Sequence, residues 1–170
     1  MKHIHCGEGL LCPKNVNFLY VPNYVRRAGI IPFLVHQGET YVLLGLSKEK
    51  NPVWADLGGR TEHGETPIQT AIREYGEESR YVIPPNLNRL NKVLLTGKEG
   101  SVYPDQILLV IEVDPTFYNI NINSAFQSTV PKSKYEDEMT LLQWIPYNDF
   151  LSMSGLSRSM KDIQKLLRTI

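Results

Sequence analysis

Apolar residues fall in short runs along most of this chain and at helical spacing in two places. Gly29 to Val35 is one apolar run and Thr40 to Leu46 is another. The polar stretch His36-Gln37-Gly38-Glu39 between them predicts a β-hairpin with buried strands. Pro32 has no amide hydrogen to donate, so it predicts an edge or a bulge at that point. Leu90 to Leu95 and Gln106 to Val113 predict two more strands, and Leu141 to Ile145 another. Ile107 to Ile111 has the unbroken apolar character of a central strand. Tyr118 to Ile122 alternates and predicts a half-exposed strand, followed by a long polar loop over 123–135. Phe18 to Val21 predicts a short strand closed off by Pro22, in an otherwise irregular segment 1–25.

Helical spacing begins after Thr66. Thr66 suits an N-cap, Pro67 the first helical position, and Gln69 completes a capping box. Ile68, Ala71, Ile72 and Tyr75 share one face, which should meet the core. Gly76 within this helix costs about 1 kcal/mol relative to alanine, and Pro84-Pro85 ends the segment. Asn148 to Met153 predicts a short helix. Ser157 then caps a last one, with Met160, Ile163, Leu166, Leu167 and Ile170 on one side. Strands before, between and after two main helices predict an α+β sandwich. At 170 residues, the chain suits a single domain over 1–170.

Composition narrows the picture only a little. Charges balance at 18 against 18, so nothing draws the whole molecule toward nucleic acid or membrane. No apolar run approaches the roughly 20 residues that span a bilayer. Met1-Lys2-His3-Ile4-His5 lacks the apolar region of a signal peptide, which predicts an intracellular, cytoplasmic protein. Cys6 and Cys12 with His3 and His5 match no standard zinc spacing and read as free thiols.

The chemistry is concentrated in the first helix. Glu74, Glu77 and Glu78 stand at i, i+3 and i+4, which stacks them on the face opposite Ala71 and Tyr75. Like charges so placed destabilise a helix unless cations neutralise them. Carboxylate oxygens are the ligands of hard Mg²⁺ and Mn²⁺, which act chiefly on phosphates. Gly58 and Gly59 ahead of the helix let the backbone approach a metal or a phosphate closely.

Residues 59–81 resemble the Nudix box, Gly-x5-Glu-x7-Arg-Glu-U-x-Glu-Glu-x-Gly-U with U apolar. Gly59, Glu65, Arg73, Glu74, Glu77 and Glu78 fall in register, and Tyr75 and Tyr81 take the apolar positions. Arg80 departs, standing where the pattern has glycine. The resemblance covers 23 residues and implies a Nudix-like α/β/α sandwich, with a mixed sheet and a loop-helix-loop box. It also implies a pyrophosphohydrolase that uses Mg²⁺ or Mn²⁺. The carbonyl of Gly59 and the carboxylates of Glu74, Glu77 and Glu78 would be the metal ligands. Glu65 would pair with Arg73 to lock the loop onto the helix. Arg80 would either end the helix in a left-handed conformation, at about 1 kcal/mol, or let it run on to Pro84, with little bearing on the chemistry.

In many members of the family the general base is a glutamate six residues before a strand tryptophan. Glu138 and Trp144 match that offset, and the preceding loop would let Glu138 swing over the substrate. Glu136 and Asp137 are rivals, and Glu74 or Glu78 in the box is the main alternative. Arg60, beside Gly59, is the leading phosphate contact. Arg26, Arg27, Lys98, Lys132 and Lys134 are also available, and Trp54 or Tyr103 could stack on a base. The implied substrate is a nucleoside diphosphate linked to another moiety. The proline of ADP-ribose members and the tyrosine of dinucleoside polyphosphate members are not at their usual places. The Glu138–Trp144 spacing keeps capped RNA open, although no long basic extension is present to hold RNA. A catalytically silent nucleotide sensor is the second reading, and a structural interaction protein the third; sensors usually lose the box glutamates retained here. Oligomeric state is left open.

Overall fold

Two strands that pair at one end and part at the other set the architecture. The computed structural model describes residues 2–5, as backbone, and residues 23–97 and 104–168. The expected strand at Phe18–Val21, the two cysteines, Lys98, Tyr103 and Ile170 lie outside the described residues. Strands β2 (Arg27–His36) and β3 (Glu39–Ser47) form the expected hairpin. At its tip Gln37 and Gly38 both have positive φ, 51° and 79°, the backbone signature of a turn whose twist matches its strands. β2 and β3 pair from Phe33–Val42 to His36–Glu39 and then diverge.

The segment that precedes the box fills this fork. β4 (Trp54–Ala55) pairs with β3 at Leu46 and Gly45, and β5 (Leu57–Arg60) pairs with β2 from Ile30 to Arg27. Pro32 therefore marks neither an edge nor a bulge. It sits in a central strand, in the gap where β2 exchanges β5 for β3, and a missing amide hydrogen is tolerated there.

The remaining strands are β1 (Lys2–His5), β6 (Leu90–Gly97), β7 (Gln106–Glu112) and β8 (Met139–Pro146). β1 lies within the segment expected to be irregular and pairs with β6. Among the described residues the sheet has eight strands, in the order β1-β6-β7-β2-β3-β4, with β5 against β2 and β8 against β3. β2 and β7 run parallel and the other pairs antiparallel, so the sheet is mixed.

Alternate residues of β7 supply two cores. Ile107, Leu109 and Ile111 pack with Ala71 and Tyr75 of α1 (Pro67–Ser79) and Phe126 of α3 (Ile122–Ser128). Leu108 and Val110 pack with Phe150 of α4 (Tyr147–Ser152) and Met160, Ile163 and Leu166 of α5 (Arg158–Arg168). The result is the expected α+β fold, a mixed sheet between two helical layers. No described helix is long and apolar enough to cross a membrane.

Residues 116–119 and 122–128 are helical, where alternation had predicted a strand over 118–122 and then a loop. α2 (Thr116–Asn119) starts after Asp114, whose carboxylate accepts from the Thr116 amide at 2.9 Å. Asn121 caps α3 by accepting from the Ser124 amide at 3.0 Å. α3 is too short to be stable by itself. Burial of Ile122 and Phe126 holds it, at about 1.5–3 kcal/mol for each side chain. A 3-10 turn, Lys134–Asp137, then leads into β8.

Gly29 faces Gly58 across the β2–β5 pair. A Cβ on Gly29 would lie 2.5 Å from Oδ2 of Asp56 and 2.9 Å from Cα of Gly58. Both neighbours are held in place, so Gly29→Ala should destabilise the protein by about 1–3 kcal/mol. The check is the urea midpoint; an unchanged midpoint would mean the fork widens without cost.

Candidate metal and phosphate site

The box begins where β5 runs along β2 toward the open end of the fork, with Gly59 opposite Ala28. Asp56 lies between β4 and β5 and is wholly buried. Its Oδ2 accepts from Nη1 of Arg27 at 2.8 Å and its Oδ1 from the Ser159 hydroxyl at 3.3 Å. Arg27 also donates to Gln106 on β7 at 3.2 Å. A buried carboxylate needs such partners, because an unpaired charge there is costly. Beyond Asp56 the chain passes through Gly58 and Gly59 and turns into α1. Thr66 and Gln69 form the expected capping box, with bonds of 3.2 and 3.0 Å.

Arg73 ties this loop to the helix. Its Nε donates to Oε2 of Glu65 at 2.7 Å and its Nη2 to Oε1 at 3.0 Å, a bidentate pair. Nη2 also reaches the carbonyl of Arg60 at 3.0 Å. These bonds from Arg73 are the main reason the Glu65 carboxyl is pulled down from its usual 4.5 to about 2. Nη1 of Arg73 reaches Glu74 at 2.8 Å and Glu77 at 3.3 Å.

The glutamate face does not simply turn away from the core, as the helical spacing had suggested. Glu78 is only 3% exposed. Burial, and after it the charges of Asp56 and Glu74, push its pKa well above the carboxylate range. Glu74 is raised by burial as well, against the pull of Arg73. The carboxylate of Glu74 lies against the bare Cα of Gly59, where a Cβ would collide with it. α1 leans this face onto β2 and β5, so the carboxylates lie at the fork.

Glu138 approaches from the other side. Its side chain is exposed, and its pKa is raised by partial burial and then by the charge of Glu77. Its two rivals are engaged elsewhere: Asp137 with Lys48 at 2.8 Å, and Glu136 with the Lys132 amide at 3.3 Å. The expected swinging loop is a tethered turn, since the Lys48 amide also donates to the carbonyl of Glu138 at 3.0 Å. β8 follows at Met139, and its register slips by one residue between Met139 and Leu141. The even offset from Trp144 therefore does not place Glu138 and Trp144 on one face.

Arg80 ends α1 in a left-handed conformation, φ 53° and ψ 32°, so the helix does not run on to Pro84. The left-handed helix end is one of the two outcomes expected for Arg80, and its side chain is buried and hydrogen-bonded.

A family model described as NUDIX domain matches residues 23–166. The chain belongs to the Nudix family. Its fold is similar to a binary complex of a C. elegans Ap4A hydrolase (TM-score 0.53, 16% identity, 86% of this chain and 96% of that one). A second structure of C. elegans Ap4A hydrolase has a TM-score of 0.50 at 20% identity, over 85% and 93% of the two chains. Shewanella oneidensis NrtR has a TM-score of 0.54 at 17% identity, over 86% of this chain and 63% of that one.

Nudix enzymes generally need a divalent metal, and the site can be tested for one. Among the described residues no three acidic or imidazole side chains already converge as a closed cage. Arg73 engages oxygens of Glu74 and Glu77. The donor chemistry nevertheless fits a hard cation. The donors are all oxygens, burial has raised the carboxyl groups of Glu74 and Glu78, and Gly59 brings the backbone against Glu74.

A cleft of about 690 Å³ opens beside Gly59 and Arg60, and Arg26, Arg158 and Tyr24 also line it. Arg158 lies on the last helix, too far along the chain for spacing to have linked it to the box. Trp54 packs against the second core, and Lys132 and Lys134 lie on the surface around the 3-10 turn. An apolar cavity of about 230 Å³ lies on the opposite face of the sheet, under α4 and α5.

Gly59→Ala should push the Glu74 carboxylate aside and weaken Mn²⁺ binding at least about tenfold, with the fold retained. Titration followed by Mn²⁺ electron paramagnetic resonance reads this directly; unchanged affinity would remove Glu74 from the donor set. A second expectation concerns Glu65. Its pKa is lowered on folding, so its stabilisation is complete above about 4.5 and is lost as pH falls toward 2. The parent should exceed Glu65→Gln by about 1.5–3 kcal/mol at pH 7. Urea melts down the pH scale should show that gap closing below about 4.5, and a constant gap would assign it to packing.

Proposed function

We propose that this chain is a metal-dependent Nudix pyrophosphohydrolase that cleaves a nucleoside diphosphate linked to another moiety. One observation carries the reading. A cluster of partly buried carboxylates, short of cations, adjoins a cleft lined by arginines. The first half suits a divalent cation and the second a chain of phosphates.

Glu74, Glu77 and Glu78, with the carbonyl of Gly59, would hold Mg²⁺ or Mn²⁺. When bound, such a cation neutralises phosphate charge and makes bound water easier to deprotonate. Glu138 accepts the proton of the attacking water as the new P–O bond forms. The bridging P–O bond then breaks, and the leaving phosphate carries its electron pair. Its raised pKa brings Glu138 closer to the working range of a general base. Arg60, with Arg26 and Arg158, contacts the phosphates. Glu65 holds Arg73, and Arg73 holds the Arg60 carbonyl, so this pair orients the loop and takes no part in bond making.

The purified protein should be assayed with Mg²⁺ and with Mn²⁺ against Ap4A, ADP-ribose, nucleotide sugars, nucleoside triphosphates and capped RNA. Turnover of at least one diphosphate-linked nucleotide is expected, and chelation should abolish it. Glu77→Gln and Glu78→Gln should each lower turnover at least about tenfold, and Glu138→Gln should lower kcat by about 10²–10⁴. Tight nucleotide binding with no product would favour the sensor. A normal kcat in Glu138→Gln, with none in Glu74→Gln, would move the base into the box.

A further inference from the structure

The residue that departs from the box pattern links the two halves of the site. Arg80 closes α1 with its backbone: its left-handed amide donates to the carbonyl of Glu77 at 3.3 Å. Its side chain then runs inward and is only 8% exposed as a residue. Nε donates to the carbonyl of Glu136 at 2.9 Å, and Nη1 to those of Thr129 and Phe126 at 3.0 and 3.2 Å. The guanidinium carbon lies 3.9 Å from the centre of the Phe126 ring. Nη2 is 3.5 Å from Oδ1 of Asp137, while the other oxygen of that carboxylate holds Lys48.

A guanidinium offers five donors in a rigid fork, and burial obliges them to find acceptors. Here the acceptors all belong to one stretch, from the end of α3 to the residue before Glu138. Glycine at this position would end the helix with less backbone strain. Arginine accepts that strain, and the gain is a fixed path for the segment that delivers Glu138. We propose that Arg80 is a positioning residue, and that it couples the C-terminus of the box helix to the turn carrying Glu138, setting the distance between the metal face and the base.

This rests on the assignment of Glu138 as the base, so the test must separate the two ideas. Arg80→Gly is the principal variant, because glycine suits the left-handed cap and removes only the side chain. With the best substrate from the panel above, it should lower kcat by about 10- to 100-fold, with KM changed less than about threefold. In a Glu138→Gln background the same change should add almost nothing, because the group it positions is already disabled. Hydrogen exchange of the free protein supplies a readout that needs no substrate. Amides of 126–138 should exchange at least about tenfold faster in Arg80→Gly while those of β7 are unchanged. Arg80→Lys keeps the charge near Asp137 but cannot span three carbonyls, so it should recover only part of both effects. Asp137→Asn removes the negative charge that faces Nη2 without touching the helix cap and should reproduce the exchange change in a milder form.

An equal fold-loss from Arg80→Gly in both backgrounds would overturn the proposal, as would unchanged exchange over 126–138. If Glu138→Gln alone leaves kcat intact, the assignment of the base fails instead, and the exchange data still decide whether Arg80 holds the turn.

Discussion

The pair between the wholly buried Asp56 and the half-buried Arg27 is the contact on which the candidate site depends. It lies within the opening between β2 and β3, and it fixes the wedge that fills that opening. Arg27 also reaches Gln106, and Asp56 reaches Ser159, so one pair of charges joins β2, the link between β4 and β5, β7 and the start of α5. Removing one partner from such a pair leaves an uncompensated charge, at about 3–5 kcal/mol. Gly58 and Gly59 follow at once, so the path of the box loop is set by this contact before α1 begins. Glycine at 29 and 58 is the steric counterpart, since a side chain at either would collide with the same Asp56 carboxylate.

Along α1 the governing effect is competition for carboxylate oxygen. Arg73 holds Glu65 in a bidentate pair and touches Glu74 and Glu77 with its remaining nitrogen. Glu78 has Arg27 as its nearby opposite charge, and Arg27 is already committed to Asp56. Two arginines therefore face a larger number of carboxylates, and the helix carries a charge deficit that a divalent ion would relieve. The local fold tolerates this because Tyr75 and Ala71 on the other side of α1 are fully packed.

Much of this was legible in the sequence because it rests on local rules. The hairpin, the capping box, the central strand β7 and the in-register glutamates each need only a few neighbouring residues. What escaped depends on contacts between distant segments. Pro32 read as an edge because spacing alone cannot show a strand changing partners midway. Residues 118–128 read as strand and loop because five alternating residues resemble a strand, while Asn121 and Phe126 specify helix only once a core is present. Asp56 and Arg158 carry no local pattern at all. Arg80 was visible as an exception to the box, but its acceptors are backbone carbonyls, which no side-chain pattern records. The slip at Thr140 was equally silent, so the register does not strictly keep the offset that singled out Glu138.

The fork also bears on how the chain folds. Arg27 meets Asp56 and Gln106 at separations of 29 and 79 residues. The hairpin of β2 and β3 forms from neighbours, but its open end stays empty until the wedge arrives on one side and β7 on the other. Pairing over such separations must first overcome chain entropy, and it slows folding relative to local contacts. The glycine loop of the candidate site is part of the wedge, so that site forms only with the long-range steps. During synthesis β7 emerges well after the box, and until then the half-open hairpin exposes an unpaired edge where the completed protein has its most deeply buried strands.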